Sequence, residues 1–295
     1  MEQDTPARQP AYGWVRWNNA LATAASARGG VGVFAYELIC FGLKQASACL
    51  FGGCMVALLL ASGLYWPRDA PIARYDALTV AAVAIQIGLI ACRLETPREA
   101  LVIFLFHVVG TAMEVFKTSM GSWIYPEPSL LRLGGVPLFT GFMYGAVGSY
   151  IARAWRLFDF RFTAHPPLWA GVALAVGIYL NFFTHHYMAD ARPLLFLAMA
   201  LLFGRTWVHF RICTTHRRMP LLVGLGLVAL FIWLAENVGT FAQAWVYPAQ
   251  RHGWHPVSPA KIGAWLLLMT ISYVMVWAVH GGAPEARPPG RSRGR

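Results

Sequence analysis

Apolar runs of about 20 residues, the length of a bilayer-spanning helix, recur along the chain between short polar or proline-containing breaks. The pattern predicts eight membrane-spanning helices: Ala46–Leu64, Ala77–Cys92, Ala100–Ser119, Val136–Trp155, Leu168–Tyr187, Pro193–Phe210, Leu221–Ala242 and Ile262–His280. The second is short for a span and begins nearer Ile72 if it is to reach across. Ahead of the first, Phe34–Gln45 sets Glu37, Lys44 and Gln45 among apolar residues. That reads as an interfacial helix whose charged side chains reach back to water.

The pattern is also periodic on a longer scale. Glu114, Thr118, Trp123, Tyr125 and Pro126 recur in the same register as Glu236, Thr240, Trp245, Tyr247 and Pro248. The same offset brings Gly141 onto Gly263, Trp155 onto Trp277 and Pro71 onto Pro193. Spans one to four therefore repeat as spans five to eight. Four is an even number, so both copies enter the membrane in the same sense and a pseudo-two-fold axis lies along the membrane normal. The expected fold is all-α: a polytopic integral membrane bundle of two tandem four-helix repeats. Its expected divisions are an N-terminal segment 1–45, repeats 46–157 and 158–281, and a basic tail 282–295.

Composition agrees with a membrane protein. Hydrophobic residues make up 57% of the 295-residue chain and charged residues 13%, about half the charged share of soluble domains. Of the 24 Lys and Arg, 16 fall on the side of the predicted membrane that holds both termini and six on the other, with Lys44 and Lys117 set apart. The positive-inside rule then puts both termini in the cytoplasm, at a bacterial inner membrane. The net charge of +11 needs no nucleic acid, because basic loops and the tail Arg287 to Arg295 serve topology and face anionic lipid. The odd count of five cysteines contains no C-x-x-C pair and reads as small core residues.

The candidate chemistry sits on spans three and seven. His107, Thr111, Glu114 and Thr118 are spaced to share one helical stripe, and Glu236, Thr240 and Gln243 repeat it. Carboxylates in apolar helices are costly and usually functional, so both stripes are expected to face a shared internal cavity. In each copy Trp-x-Tyr-Pro follows nine residues after the glutamate, closing the span and bringing Trp123, Tyr125, Trp245 and Tyr247 over the stripe. Lys117, three residues after Glu114, is placed for an intrahelical ion pair, whereas Gly239 stands at the matching place in the second copy. Glu236 is thus the expected proton donor, and Glu114 with Lys117 the fixed polar element. His185 and His186 with His252 or His255 could hold a metal on the outer face, but no helix carries H-x-x-H or H-E-x-x-H and no metal is expected.

The stretch Glu114 to Arg156, with Glu-Val-Phe-Lys-Thr, Gly-Ser-Trp-Ile-Tyr-Pro-Glu-Pro and Gly-Val-Pro-Leu-Phe-Thr-Gly-Phe-Met-Tyr, resembles an uncharacterised bacterial family of polytopic membrane proteins of YoaT type (domain of unknown function 817). Phe41-Gly-Leu-Lys-Gln45 fits the same family. The resemblance implies a membrane protein and brings no activity. More distantly, a Glu followed by Gly-x-Trp-x-Tyr and a Gly-x-Pro helix is similar to membrane carotenoid cyclases and hydratases. Their Pro-x-Glu-Glu is absent after Gly135-Val136-Pro137.

Three functions remain open at this level. One is a membrane enzyme acting on an isoprenoid or other lipid, with Glu236 as acid–base and the four aromatic rings stabilising positive charge. Another is a proton-coupled transporter or channel, and the third a non-catalytic scaffold. Membrane lipid and a lipophilic small molecule are the expected partners; the sequence names no cofactor.

Overall fold

The computed structural model describes residues 29–282 apart from Arg68 and Thr214, with Leu21, Thr23, Ala25 and Ala27 ahead of them. The polar stretch through residue 20 and the basic tail lie outside the described residues. Among the described residues nine α-helices carry the fold: α1 Gly29–Ala48, α2 Leu50–Tyr65, α3 Arg74–Ala91, α4 Pro97–Ser119, α5 Phe139–Leu157, α6 Leu168–Thr184, α7 Arg192–Phe203, α8 Leu221–Phe241 and α9 Lys261–His280. A two-stranded ladder, β1 Arg132–Leu133 with β2 Val136–Pro137, lies between α4 and α5. A three-stranded antiparallel sheet joins β3 Arg161–Thr163, β4 Trp207–Ile212 and β5 Thr215–Pro220 in that order.

A helix stands at each of the eight predicted places, but their lengths differ from the expectation. Among the described residues helices α3, α4, α8 and α9 are long and apolar enough to cross a membrane, and α1 with α2, bent by 70° at Cys49, pass the same test only together, as a broken span or a re-entrant loop. Helix α7 has only 12 residues, about 18 Å at 1.5 Å per residue, against a hydrocarbon core of about 30 Å. The expected run Pro193–Phe210 fails because the helix stops at Phe203 and the chain enters a strand at Trp207. Along Trp207–Ile212 the side chains alternate, with Val208, Phe210 and Ile212 buried and Trp207 and Arg211 turned out. The all-α expectation is corrected accordingly: the fold is mainly helical with two small sheets.

The local starts and stops follow from sequence. Thr96 and Glu99 form a reciprocal capping box at the start of α4, with Pro97 in its first turn. Gly281 closes α9 in the left-handed conformation. Helix α5 meets α4 along Gly141, Gly145 and Gly148. A Cβ at Gly145 would lie 2.9 Å from Ile103 and one at Gly148 2.8 Å from Phe106, so only glycine permits this approach. The faces turned away from the bundle are apolar, with Val80, Phe104, Leu180, Leu201 and Phe231 exposed on successive helices. Such a surface suits lipid rather than water.

Packing runs in corresponding pairs. Helix α4 lies on α5 as α8 lies on α9, α2 on α5 as α6 on α9, and α2 on α3 as α6 on α7. Helices α5 and α9 touch each other. The loops after α4 and α8 join through an antiparallel bridge in which Ile124 and Val246 exchange both backbone hydrogen bonds, at 3.0 and 2.9 Å.

The sheet end is held by charge. Helix α1 docks there rather than standing free: Glu37 accepts from Arg217 at 2.6 Å and Thr215 at 2.8 Å, and Lys44 donates to the carbonyls of Leu157 and Arg211. Deeper, Glu95 accepts from Ser149 and Gln86, each at 2.5 Å, with Arg153 at 3.9 Å. Both members of the Glu95–Arg153 pair are buried. Removing one partner of a buried pair strands the other charge and costs about 3–5 kcal/mol. Glu95→Ala is expected to lower the unfolding midpoint in detergent by several degrees or abolish folding. Arg161→Ala, which removes the exposed partner of Asp159, is expected to cost at most about 1 kcal/mol.

Candidate functional site

The C-terminal halves of α4, α6 and α8 and the N-terminal halves of α5 and α9 converge on one cavity of about 400 Å³, within the range of small-molecule sites. Glu114 from α4 and Glu236 from α8 both line it. Each carboxylate is buried, and each is met by aromatic donors. Glu114 accepts from Trp123 Nε1 at 2.8 Å, Tyr125 Oη at 2.5 Å and Tyr144 Oη at 2.7 Å. Glu236 accepts from Tyr247 Oη and from Trp265 Nε1, the latter at 2.7 Å. Burial, and then the charge of the adjacent glutamate, push the Tyr125 and Tyr247 phenols well above their ordinary range, so both remain O–H donors.

The aromatic donors reach back because of how each helix ends. Helix α4 stops at Ser119 and the chain turns left-handed at Gly121; helix α8 stops at Phe241 and turns left-handed at Gln243, the matching position. The loop then folds over the last turns of its own helix, bringing Tyr125 and Tyr247 each 11 residues back onto a glutamate. Arg74 fixes the first loop by pairing with Glu127 at 2.7 Å, and also donates to the carbonyls of Ala242 at 2.8 Å and Gln243 at 2.9 Å. Asp76 accepts from the backbone N–H of Leu130 and Leu131. One end of α3 thus ties both aromatic loops together.

Seven of the residues expected at the site line the cavity: Glu114, Lys117, Trp123, Tyr125, Glu236, Trp245 and Tyr247. Four do not. His107 and Thr111 press on α5 at Gly141, where a Cβ would collide with both, so this part of the stripe is a helix contact. Thr118 Oγ1 is buried without a partner. Thr240 donates to the carbonyl of Asn237 at 3.2 Å. Gln243 is beyond the end of α8 and contributes its backbone carbonyl to Arg74. The matching Gly121 was the sequence signal that this position is a turn and not a helical stripe.

The expected Glu114–Lys117 ion pair does not form. Lys117 points instead to α6 and its following turn, 3.3 Å from His185 Nε2 and 3.0 Å from His186 Nε2. His185 Nδ1 lies 2.8 Å from the carbonyl of Asn181, which leaves its Nε2 as the acceptor. Desolvation, then the Lys117 charge, lower the His186 pKa, in keeping with an unprotonated ring. The reason is competition: three aromatic donors already occupy Glu114.

Sequence reasoning missed Lys261, Tyr144 and Trp265. Lys261 opens α9 and was counted among the loop charges. Its Nζ sits 4.3 Å from the Tyr247 ring centroid and 5.5 Å from that of Trp123. Those two rings meet edge to face, 6.0 Å apart. Their polar edges hold Glu236 and Glu114 respectively, so one ammonium lies between two aromatic-clad carboxylates. In the second loop the Trp245 ring covers Gly239, where a Cβ would collide with it. A lysine there, as at 117, has no room.

The fold and this site define a multi-pass membrane protein with a ligand-sized cavity inside its helical bundle. The chain belongs to the DUF817 family, described as a protein of unknown function, whose model matches residues 37–273. It is 41% identical over 240 residues to the uncharacterized protein YoaT of Bacillus subtilis (strain 168), covering 81% of this chain and 90% of that one. Among solved structures, a cross-linked trimer of MvINS matches with a TM-score of 0.46 at 13% identity, over 65% of this chain and 98% of that one. A second structure of MvINS, a mycobacterial Insig homolog from Mycobacterium vanbaalenii, gives 0.44 at 13% identity over 62% and 93%.

The Ile124–Val246 bridge can be tested directly. Residues that exchange both hydrogen bonds in an antiparallel pair have Cα atoms about 5.5 Å apart, within disulfide range. The double variant Ile124→Cys/Val246→Cys, in a background lacking the five native cysteines, is expected to cross-link under mild oxidant. After proteolysis between α5 and α6 the two halves should remain joined until reduced. Separate halves without reductant would contradict the packing of these loops.

Proposed function

We propose that the chain is a membrane-embedded enzyme that takes a lipophilic substrate into the cavity between two tandem four-helix repeats. The observation that carries this reading is the pair of carboxylates lining one cavity whose remaining wall is largely apolar, from Met113, Met143, Val147, Ile178 and Ile232. Glu236 is the group assigned to proton transfer. The oxygen that accepts from the donor-only Trp265 indole stays available as a base, while Tyr247, from the loop after α8, donates to the other oxygen. Glu114, held by three donors, is the fixed charge. The faces of Trp123 and Tyr247 carry Lys261, so these two rings position that ammonium.

The repeat and its topology belong to the same proposal. Support comes from the corresponding helix pairs, from left-handed turns at the equivalent Gly121 and Gln243, and from a symmetric bridge between the equivalent Ile124 and Val246. A two-fold axis relates such features. Eight spans with both termini in the cytoplasm place the aromatic loops on the outer side of the inner membrane. Short helices such as α7 then cross only with the help of the sheet and of local bilayer thinning.

Transport is a second reading, favoured by the meeting of two similar halves at one central cavity. The two readings part in a lipid extract. Loss of the gene is expected to change a lipid class, wild-type protein to restore it, and Glu236→Gln to insert normally without restoring it. Unchanged lipids in the deletion strain would sink the enzyme reading. Reporter fusions after Leu131 and His255 are expected to report the outer side, and a cytoplasmic signal at either would remove the proposed topology.

A further inference from the structure

The cavity's polar groups are unequal in how well they are satisfied. Both glutamates spend their oxygens on aromatic donors. Arg192, also on the wall, is tied to Asp190 at 2.5 Å. The two lysines differ. Among the described residues neither Lys117 nor Lys261 has a carboxylate within ion-pair distance. Lys117 has two imidazole nitrogens, at 3.3 and 3.0 Å, and Lys261 has ring faces. An ammonium carries three N–H donors, and ring faces satisfy its charge without accepting a conventional hydrogen bond. Both lysines line the same cavity, from α4 and from the start of α9, where the backbone N–H groups of the first turn add positive potential.

Resting on the reading of a lipophilic substrate, we propose that the ligand is an anionic amphiphile, a hydrocarbon chain ending in a phosphate or carboxylate, whose head group is held between Lys117 and Lys261. Its oxygens supply the acceptors that Lys261 lacks and a third beside the two imidazoles of Lys117. The cavity has room for a head group and the first part of a chain, and its apolar wall at Met143, Val147, Ile178, Phe182 and Ile232 takes the hydrocarbon. The glutamates do not repel such a head group strongly, because each has its charge directed into its own cluster of O–H and N–H donors. Lys261 is the principal recognition residue, since the rings of Trp123 and Tyr247 hold it in place without competing for its donors.

The test is binding by the full-length purified protein in neutral detergent, read by quenching of tryptophan fluorescence with brominated-chain lipids, since Trp123, Trp245 and Trp265 all line the cavity. Phosphatidic acid is expected to quench saturably, and oleate to compete with it. Phosphatidylcholine with the same chains should bind at least about 10-fold more weakly, the effect of losing one charged hydrogen bond. Lys261→Met is expected to remove that preference, Lys117→Met to reduce it, and Lys261→Arg to retain it, which separates lost recognition from lost folding. Equal binding of the neutral lipid, or a preference unchanged in Lys261→Met, would overturn the proposal. Displacement of the lipid by equimolar inorganic phosphate would also overturn it, by assigning the site to the free anion. The readout needs no turnover. Selective binding with unaltered lipids in a deletion strain would keep this inference and remove the enzyme reading; altered lipids without head-group selectivity would do the reverse.

Discussion

A carboxylate inside an apolar helix bundle must be given hydrogen-bond donors, because leaving it bare in a medium of low polarity costs several kcal/mol. Here the donors are phenols and indoles. Glu114 takes three and Glu236 two, all from the loop that follows each helix or from the helix after it. This solution fixes more than charge. A tyrosine or tryptophan brings a large rigid ring along with its donor, so satisfying each glutamate also builds a wall.

The remaining geometry follows from those walls. Drawing each loop back over its own helix requires a left-handed turn, supplied at Gly121 and Gln243. It brings the two loops close enough to bridge at Ile124 and Val246, and Arg74 closes the gap from α3. The Trp123 and Tyr247 rings then meet, and Lys261 settles on their faces. The cavity is the space left between these clusters and the facing surfaces of α5, α6 and α9. Its two under-satisfied ammonium groups are what give it a chemical preference.

The glutamates, the Trp-x-Tyr-Pro loops and their common cavity were legible in the sequence because rare residues recur at fixed spacing and because charge in an apolar run has to turn inward. Helix positions were legible for the same reason of hydropathy. Several features were not. Apolar content cannot separate a helix from a buried strand, and only the alternation in Trp207–Ile212 distinguished β4 from the end of α7. Local spacing favoured a Glu114–Lys117 pair, but long-range aromatic donors won the carboxylate and the histidines after α6 won the lysine. Lys261 stands at the start of a helix, where a positive residue ordinarily reads as a loop charge; its role depends on rings from two distant loops. The stripe logic failed at His107, Thr240 and Gln243 because a polar side chain on a bundle helix can be absorbed by a neighbouring glycine, its own backbone or a turn.

The central claim is that aromatic donors, rather than ion pairs, hold the two buried carboxylates. A double-mutant cycle on Tyr125 and Glu114, using Tyr125→Phe, Glu114→Gln and their combination, measures this with unfolding free energy in detergent as the readout. Hydrogen bonds to a charged group are worth about 1.5–3 kcal/mol, so a coupling of that size is expected. Replacing Lys117 in the same cycle should couple to Glu114 far more weakly. Additive Tyr125 and Glu114 substitutions, or a larger coupling to Lys117, would contradict the account.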